Sequence, residues 1–307
     1  MTAESGPGEP RTARLRPVGW VGTGRMGTAM AGRLLDGQVP LTVWNRTRSK
    51  TAPLAERGAQ VAGRLTGLAG CEVVFVTVST HDDLWQMLLG PDGLLSGPAH
   101  PDVVVDCSTV SEEASAAIRA AALDHDVRLL AAPVSGNAHV VAAGGACLVV
   151  SGPRAAFEQV SPYFELLAAR TVLAGEGEES RLVKLCHNLY LAGMVHVLAE
   201  VTSLAEKGGI DRAAFLDFLN GTVLTSEWVR RRSADLVALD WAPTFTNELL
   251  RKDVELGLDS ARRLGVPMPL SATVHELVQA AVGLGFGDRD LLSRYEVQAR
   301  ASGLALE

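Results

Sequence analysis

The stretch that most constrains this chain is Pro17 to Leu35, PVGWVGTGRMGTAMAGRLL. A short apolar run, Val18 to Val21, reads as a buried strand, and Ala, Met and Leu at helical spacing follow Gly27. Between them stands Gly22-Thr23-Gly24-Arg25-Met26-Gly27. Strand, glycine turn and helix are the context in which GxGxxG signals dinucleotide binding. Gly22 permits the tight turn, Gly24 lets the backbone approach a pyrophosphate, and Gly27 lets the helix pack on the strand. The helix N-terminus then offers free N–H groups and a positive dipole end to the phosphates. The whole hexapeptide, Gly22 to Gly27, is therefore assigned to a dinucleotide cofactor.

A second strand, Leu41 to Trp44, runs into Asn45-Arg46-Thr47-Arg48-Ser49-Lys50. This segment begins 18 residues beyond Gly27, where such a unit places the residue that meets the adenosine ribose. A site selective for NAD carries Asp or Glu there. Here a neutral Asn is followed by Arg46, Arg48 and Lys50. Guanidinium groups bind a 2′-phosphate through charge-assisted, often bidentate bonds, whereas a carboxylate repels it. NADP is expected over NAD, with Asn45, Arg46 and Thr47 at its ribose end.

Further strands are expected at Val73 to Val78, Val103 to Asp106, Leu129 to Val134 and Ala146 to Val150, separated by helical segments. That alternation predicts a doubly wound, mostly parallel sheet. Ligands sit beyond the carboxyl ends of such strands, which draws in Thr77, Val78, Ser79 and Thr109. Ser111, before Glu112 and Glu113, reads as a helix cap. From Glu178 onward the pattern is helical, with one long segment over 181–207 and further helices at 211–219, 226–238, 249–264 and 271–283. The expected organisation is a disordered tail over 1–16, a nucleotide-binding domain over 17–176, and a connecting helix with an all-helical domain over 177–307.

With 47% hydrophobic and 21% charged residues among 307, the chain can bury a sizeable core. A formal net charge of -7 argues against a broad nucleic-acid or anionic-membrane surface. No uninterrupted apolar run reaches the ~18 residues of a membrane span. Cys71, Cys107, Cys147 and Cys186 lie 36 to 40 residues apart, without CxxC spacing. They are expected to be buried free thiols in a reducing cytoplasm, with no metal.

The chemistry is expected in the long helix, at Gly175-x-Gly177-x6-Lys184-x3-Asn188. Lys184 and Asn188 share one helical face among the apolar Leu182, Leu185 and Leu189. An ammonium beside a buried surface needs a reason, since lysine is almost never buried unpaired. A cleft-facing pair would let Lys184 exchange a proton with a substrate oxygen while Asn188 holds that oxygen; a surface lysine fits the same spacing. Ser135 and Gly136, ahead of a helix, could bind a carboxylate through hydroxyl and backbone N–H, or simply cap it.

The chain resembles the β-hydroxyacid dehydrogenase family, which includes 3-hydroxyisobutyrate dehydrogenases and glyoxylate and succinic-semialdehyde reductases. GWVGTGRMG, DCSTVS, APVSGN, GEGEESRLVKLCHN and Arg251-Lys252-Asp253-Val254 carry the resemblance over roughly residues 17 to 300. It implies a Rossmann-type domain joined to an all-α domain of the 6-phosphogluconate dehydrogenase kind, a homodimer formed through the long helix, and an NADP-dependent oxidoreductase acting on a small β-hydroxyacid. It also implies that Lys184 is the acid/base and that Asn188 orients the substrate. Ser135 and Gly136 would hold the carboxylate, and Lys252 would lie by cofactor and substrate. Two departures stand out. Asn137 replaces a second glycine after Ser-Gly and is expected to reshape the carboxylate subsite. His187 beside Asn188 is uncommon; a neighbouring helical position faces away, so His187 is expected either behind the substrate-contacting residues or in solvent. Imine reductases share this fold but generally lack the lysine. Non-catalytic, chromatin-associated relatives also lack it and carry basic extensions.

Overall fold

The computed structural model describes residues 15–306, so the expected tail falls almost wholly outside the described residues. The first half runs β1 (Val18–Val21), α1 (Arg25–Asp36), β2 (Leu41–Trp44), α2 (Ala52–Ala55), β3 (Gln60–Val61), β4 (Val73–Val76), α3 (His81–Leu89), β5 (Val103–Asp106), α4 (Glu112–Leu123) and β6 (Arg128–Ala131). These strands pair in parallel, in the order β3-β2-β1-β4-β5-β6. Every residue of β1, β4 and β5 is buried, as a sheet covered on both faces requires. Alternate side chains take opposite faces. Val18, Trp20, Val73, Phe75, Val103 and Val105 join one core cluster with Met30 and Leu34 of α1. Val21, Val74, Val76 and Val104 join another with Leu84, Leu88 and Ile118 of α3 and α4. The strand order reverses between β1 and β4, and the crevice beyond their carboxyl ends is where this architecture places a ligand.

The sheet is mostly parallel, as expected, and its antiparallel pairs lie at one edge. After β7 (Val134–Ser135) and the short α5 (Ala138–Ala142), β8 (Cys147–Ser151) runs antiparallel to both β6 and β7. α6 (Arg154–Leu167) then leads to β9 (Arg170–Gly175), a strand the apolar pattern does not reveal, parallel to β8. All its residues are exposed or half-buried, so it carries no continuous hydrophobic run.

The second half is helical: α7 (Glu179–Lys207), α8 (Arg212–Gly221), α9 (Glu227–Ala238), α10 (Asn247–Leu264), α11 (Pro269–Ala281) and α12 (Arg294–Ala301). By length and composition α7 could cross a membrane, which qualifies the expectation of no such segment. Leu189, Ala192 and Val195 are nonetheless buried against α10 and α11, and Leu198 and Ala199 against Tyr295 and Ala299 of α12. All four cysteines are free, but only Cys71 and Cys107 are buried as expected; Cys147 is half-buried and Cys186, on α7, is exposed.

Candidate active site

The glycine turn has the expected geometry. Gly22 sits at φ +88°, and a Cβ there would strike the backbone carbonyl of Thr77. A Cβ on Gly27 would strike the carbonyl of Gly22, whereas one on Gly24 would meet nothing within 4 Å. Gly24 is the N-cap of α1 and supplies no side chain to its free N–H groups. Tight turn, close packing and an open approach are thus divided among the three glycines, and the open one faces the crevice at the sheet's reversal. The Thr77 hydroxyl, at the end of the β4 segment, is buried without a partner, a polar atom free for a ligand. These features fit a dinucleotide, whose pyrophosphate the N-terminus of α1 would hold.

Asn45 ties the glycine turn to the segment after β2: its Oδ1 accepts from the Thr23 N–H at 2.9 Å and its Nδ2 donates to the Thr47 carbonyl at 2.9 Å. The Thr23 hydroxyl donates to the Lys50 carbonyl at 2.9 Å. Beside them a pocket is lined by Trp44, Asn45, Arg46, Arg48, Thr51 and Gly63, among others. Arg46 is exposed and pairs with Asp83 at 3.0 Å. The Arg25 guanidinium reaches across to the Pro243 carbonyl in the helical half. The Val78 N–H is already committed to the Ser108 hydroxyl at 2.9 Å, and Ser79 is exposed.

The start of α7 is clamped to the sheet by groups that motif reading passes over. Arg181 and Asp106, both buried, pair at 2.5 Å. Arg181 also donates to the Ser108 carbonyl at 2.6 Å and to the Ser115 hydroxyl at 3.0 Å. Ser180 donates to the Ala131 carbonyl at 3.0 Å. An aspartate closing an all-valine strand was the available signal. One turn beyond this clamp stands Lys184. Desolvation lowers its pKa from the usual lysine value; Asp253 opposes the shift and the second ammonium, Lys252, adds to it.

Asn188, buried, donates from Nδ2 to Asp253 at 2.5 Å. Lys252 lies 3.0 Å from the other oxygen of Asp253 and donates to the Thr109 carbonyl at 2.7 Å, joining α10 to the end of β5. Asp253 is therefore a site residue that the sequence reading took only as a motif partner. His187 does not face away: it bridges two of the site residues, the supporting one of its two expected placements. Its Nδ1 lies 2.9 Å from Asn188 Oδ1 and its Nε2 lies 3.0 Å from Ser135 Oγ. Neighbouring helical residues diverge at their Cα atoms, but an imidazole is long enough to swing back over the shorter amide. Desolvation and the Lys184 ammonium hold the His187 pKa below its ordinary value, against the effect of the Asn188 bond.

Gly136, at φ +128°, turns the chain after β7. Asn137 does not simply occupy the subsite: its Oδ1 caps α5 by accepting from the Val140 N–H at 3.0 Å. Trp241 belongs to the helical core, its indole donating to Glu296 at 2.8 Å, and Trp228 and Phe245 pack there with it. The structure thus gathers Lys184, His187 and Asn188 of α7, Ser135 of β7, Lys252 and Asp253 of α10, and Thr109 into one cluster where the two halves of the chain meet, with the glycine turn at the carboxyl end of the same sheet.

Comparison with known proteins identifies the family of the fold. Residues 17–175 match the model for the NAD binding domain of 6-phosphogluconate dehydrogenase. Residues 178–297 match that for the NAD-binding region of NADP-dependent 3-hydroxyisobutyrate dehydrogenase. Glyoxylate/succinic semialdehyde reductase 1 of Arabidopsis thaliana is 29% identical, over 89% of this chain and 95% of that protein. Human cytokine-like nuclear factor N-PAC is 27% identical over 91% of this chain, which spans only 51% of N-PAC. The crystal structure of 3-hydroxyisobutyrate dehydrogenase from Salmonella typhimurium superposes with a TM-score of 0.84 at 25% identity, covering 92% of this chain and 99% of that one. The chain belongs to the 6-phosphogluconate and 3-hydroxyisobutyrate dehydrogenase family, NAD(P)-dependent oxidoreductases that act on hydroxyl groups.

Proposed function

We propose that the protein uses NADP(H) to interconvert a small β-hydroxyacid and its aldehyde or keto acid, with Lys184 as general acid and base. The observation that carries this reading is the placement of Lys184, half-buried one turn along α7 from the Arg181 clamp, beside the hydrogen-bonded chain Ser135–His187–Asn188–Asp253. A bound reduced nicotinamide supplies the hydride. Lys184 gives its proton to the substrate carbonyl oxygen during reduction and takes it back during oxidation, as a positioned side chain with a shifted pKa can. Asn188 is held by Asp253 and keeps one N–H for the same oxygen. Ser135 and the backbone at Gly136 orient a carboxylate.

NADP is favoured because the pocket after β2 is lined by Arg46 and Arg48 and by no carboxylate, with Arg46 exposed and able to exchange its Asp83 partner for a 2′-phosphate. A homodimer is favoured by the exposed Val183, Tyr190, Val197 and Leu204 of α7. They recur every seven residues, which lines them along one helix face, in a helix whose opposite face is already buried. The cleft cations also separate the present reading from imine reduction and from a purely nucleotide-binding role, neither of which requires them.

The test is oxidation of NADPH and NADH with glyoxylate, succinic semialdehyde and cyclic imines, beside the Lys184→Ala variant. Reduction of the carboxylated aldehydes with NADPH, lost in the variant, supports the proposal. Turnover of imines alone, or activity that survives without Lys184, refutes it.

A further inference from the structure

The hydrogen-bond order around His187 can be traced from one fixed point. Asp253, ion-paired with Lys252, accepts from Asn188, so the Asn188 amide turns its NH2 toward α10 and its carbonyl toward His187. His187 Nδ1 must then carry a hydrogen and donate it to that carbonyl. In a neutral imidazole this leaves Nε2 bare. Nε2 lies 3.0 Å from Ser135 Oγ and so accepts the Ser135 proton. The hydroxyl meant to donate to a substrate carboxylate has then spent its only hydrogen and presents lone pairs to the cleft. An imidazolium reverses the bond: Nε2–H donates to Ser135 Oγ, and the hydroxyl proton turns into the cleft. The extra proton comes from solvent, and no covalent bond between heavy atoms changes.

We propose that His187 is a specificity-determining positioning residue: protonated, it makes Ser135 a donor that takes a carboxylate; neutral, it leaves Ser135 an acceptor suited to an uncharged head group. Binding of a carboxylated substrate is then coupled to uptake of one proton by His187. The proposal rests on the reading of Ser135 and Gly136 as the carboxylate subsite. The charged groups around His187 are Lys184 on its own helix and, beyond Asn188, Lys252 and Asp253 of α10; Ser135 contributes only a hydroxyl. Desolvation first and the Lys184 ammonium second disfavour the imidazolium in the free protein, and an arriving carboxylate opposes both effects.

The experiment compares succinic semialdehyde with its methyl ester as substrates, with NADPH, from about pH 5.5 to about pH 8. Titration of Lys184 affects both substrates and cancels in the ratio of their kcat/KM values. In the wild-type protein that ratio should fall about tenfold per pH unit once pH exceeds the His187 pKa, with the change in KM rather than kcat. In His187→Gln an uncharged amide can donate to Ser135 at every pH, so the carboxylate preference should persist and the ratio should be flat. A flat ratio in the wild-type protein, or an equal slope in His187→Gln, overturns the proposal. Calorimetry separates this outcome from failure of the proposed reaction. Succinate binding to the NADPH-loaded protein, measured in two buffers of different ionisation heat, should take up close to one proton near neutral pH and none in His187→Gln. Succinate that binds without proton uptake, or whose binding does not tighten as pH falls, overturns the proposal whether or not any aldehyde is reduced.

Discussion

At the scale of single residues, the three glycines of the turn make separable predictions. A side chain at Gly24 meets open space, so Gly24→Val should leave the unfolding midpoint of the cofactor-free protein near wild type. It should weaken NADPH binding by tenfold or more, because the valine occupies the space the pyrophosphate needs. Gly22→Ala meets the Thr77 carbonyl at a positive φ and should cost about 1–3 kcal/mol of stability even without cofactor; thermal denaturation with and without NADPH distinguishes the two. Lys184 sets the pH dependence. Reduction needs its ammonium form, so kcat/KM for reduction should fall as pH rises through a pKa displaced below the ordinary 10.5, while oxidation should rise over the same interval. Residue identity made the glycines and Lys184 legible, because each carries a requirement that few other residues meet. His187 was not legible. Its direction depends on a rotamer and on Asn188 being pinned by Asp253, and neither is written in local spacing.

At the scale of elements, the position of α7 depends on its first turn. Removing one partner of the buried Arg181–Asp106 pair leaves an uncompensated charge, a loss of about 3–5 kcal/mol. Arg181→Met should lower stability to denaturant by that amount and reduce kcat by displacing Lys184; the double variant Arg181→Met/Asp106→Leu should recover much of the stability. Helices with a clean apolar stripe were read from sequence to within a few residues, α10 and α11 among them. α12 escaped because its buried residues include Arg294 and Glu296 alongside Tyr295, so its polar pattern resembles a loop. β3 and β7 have two residues each, too few for any periodicity. The antiparallel turn of β8 is a tertiary choice: an apolar run reads the same in either direction.

At the scale of the whole molecule, the site is assembled because α10 is tied back to the first half of the chain. Lys252 reaches the Thr109 carbonyl, and Arg263 pairs with Glu112 at 3.0 Å. The same scale holds the cofactor preference. Arg46→Ala with Arg48→Ala should reduce the NADPH-to-NADH preference about 10–100-fold, the equivalent of one or two lost charge-assisted bonds, read as a ratio of kcat/KM values. Sedimentation should give twice the mass of the 307-residue chain, and Tyr190→Glu with Leu204→Glu should shift it toward a single chain. The measurement that bears most directly on the proposed chemistry is NADPH-dependent reduction of succinic semialdehyde by the wild-type protein and by Lys184→Ala. Turnover that falls about 10²–10⁴-fold in the variant, with NADPH affinity unchanged, is the expected result. Undiminished turnover in the variant would contradict the assignment of Lys184 as the proton donor.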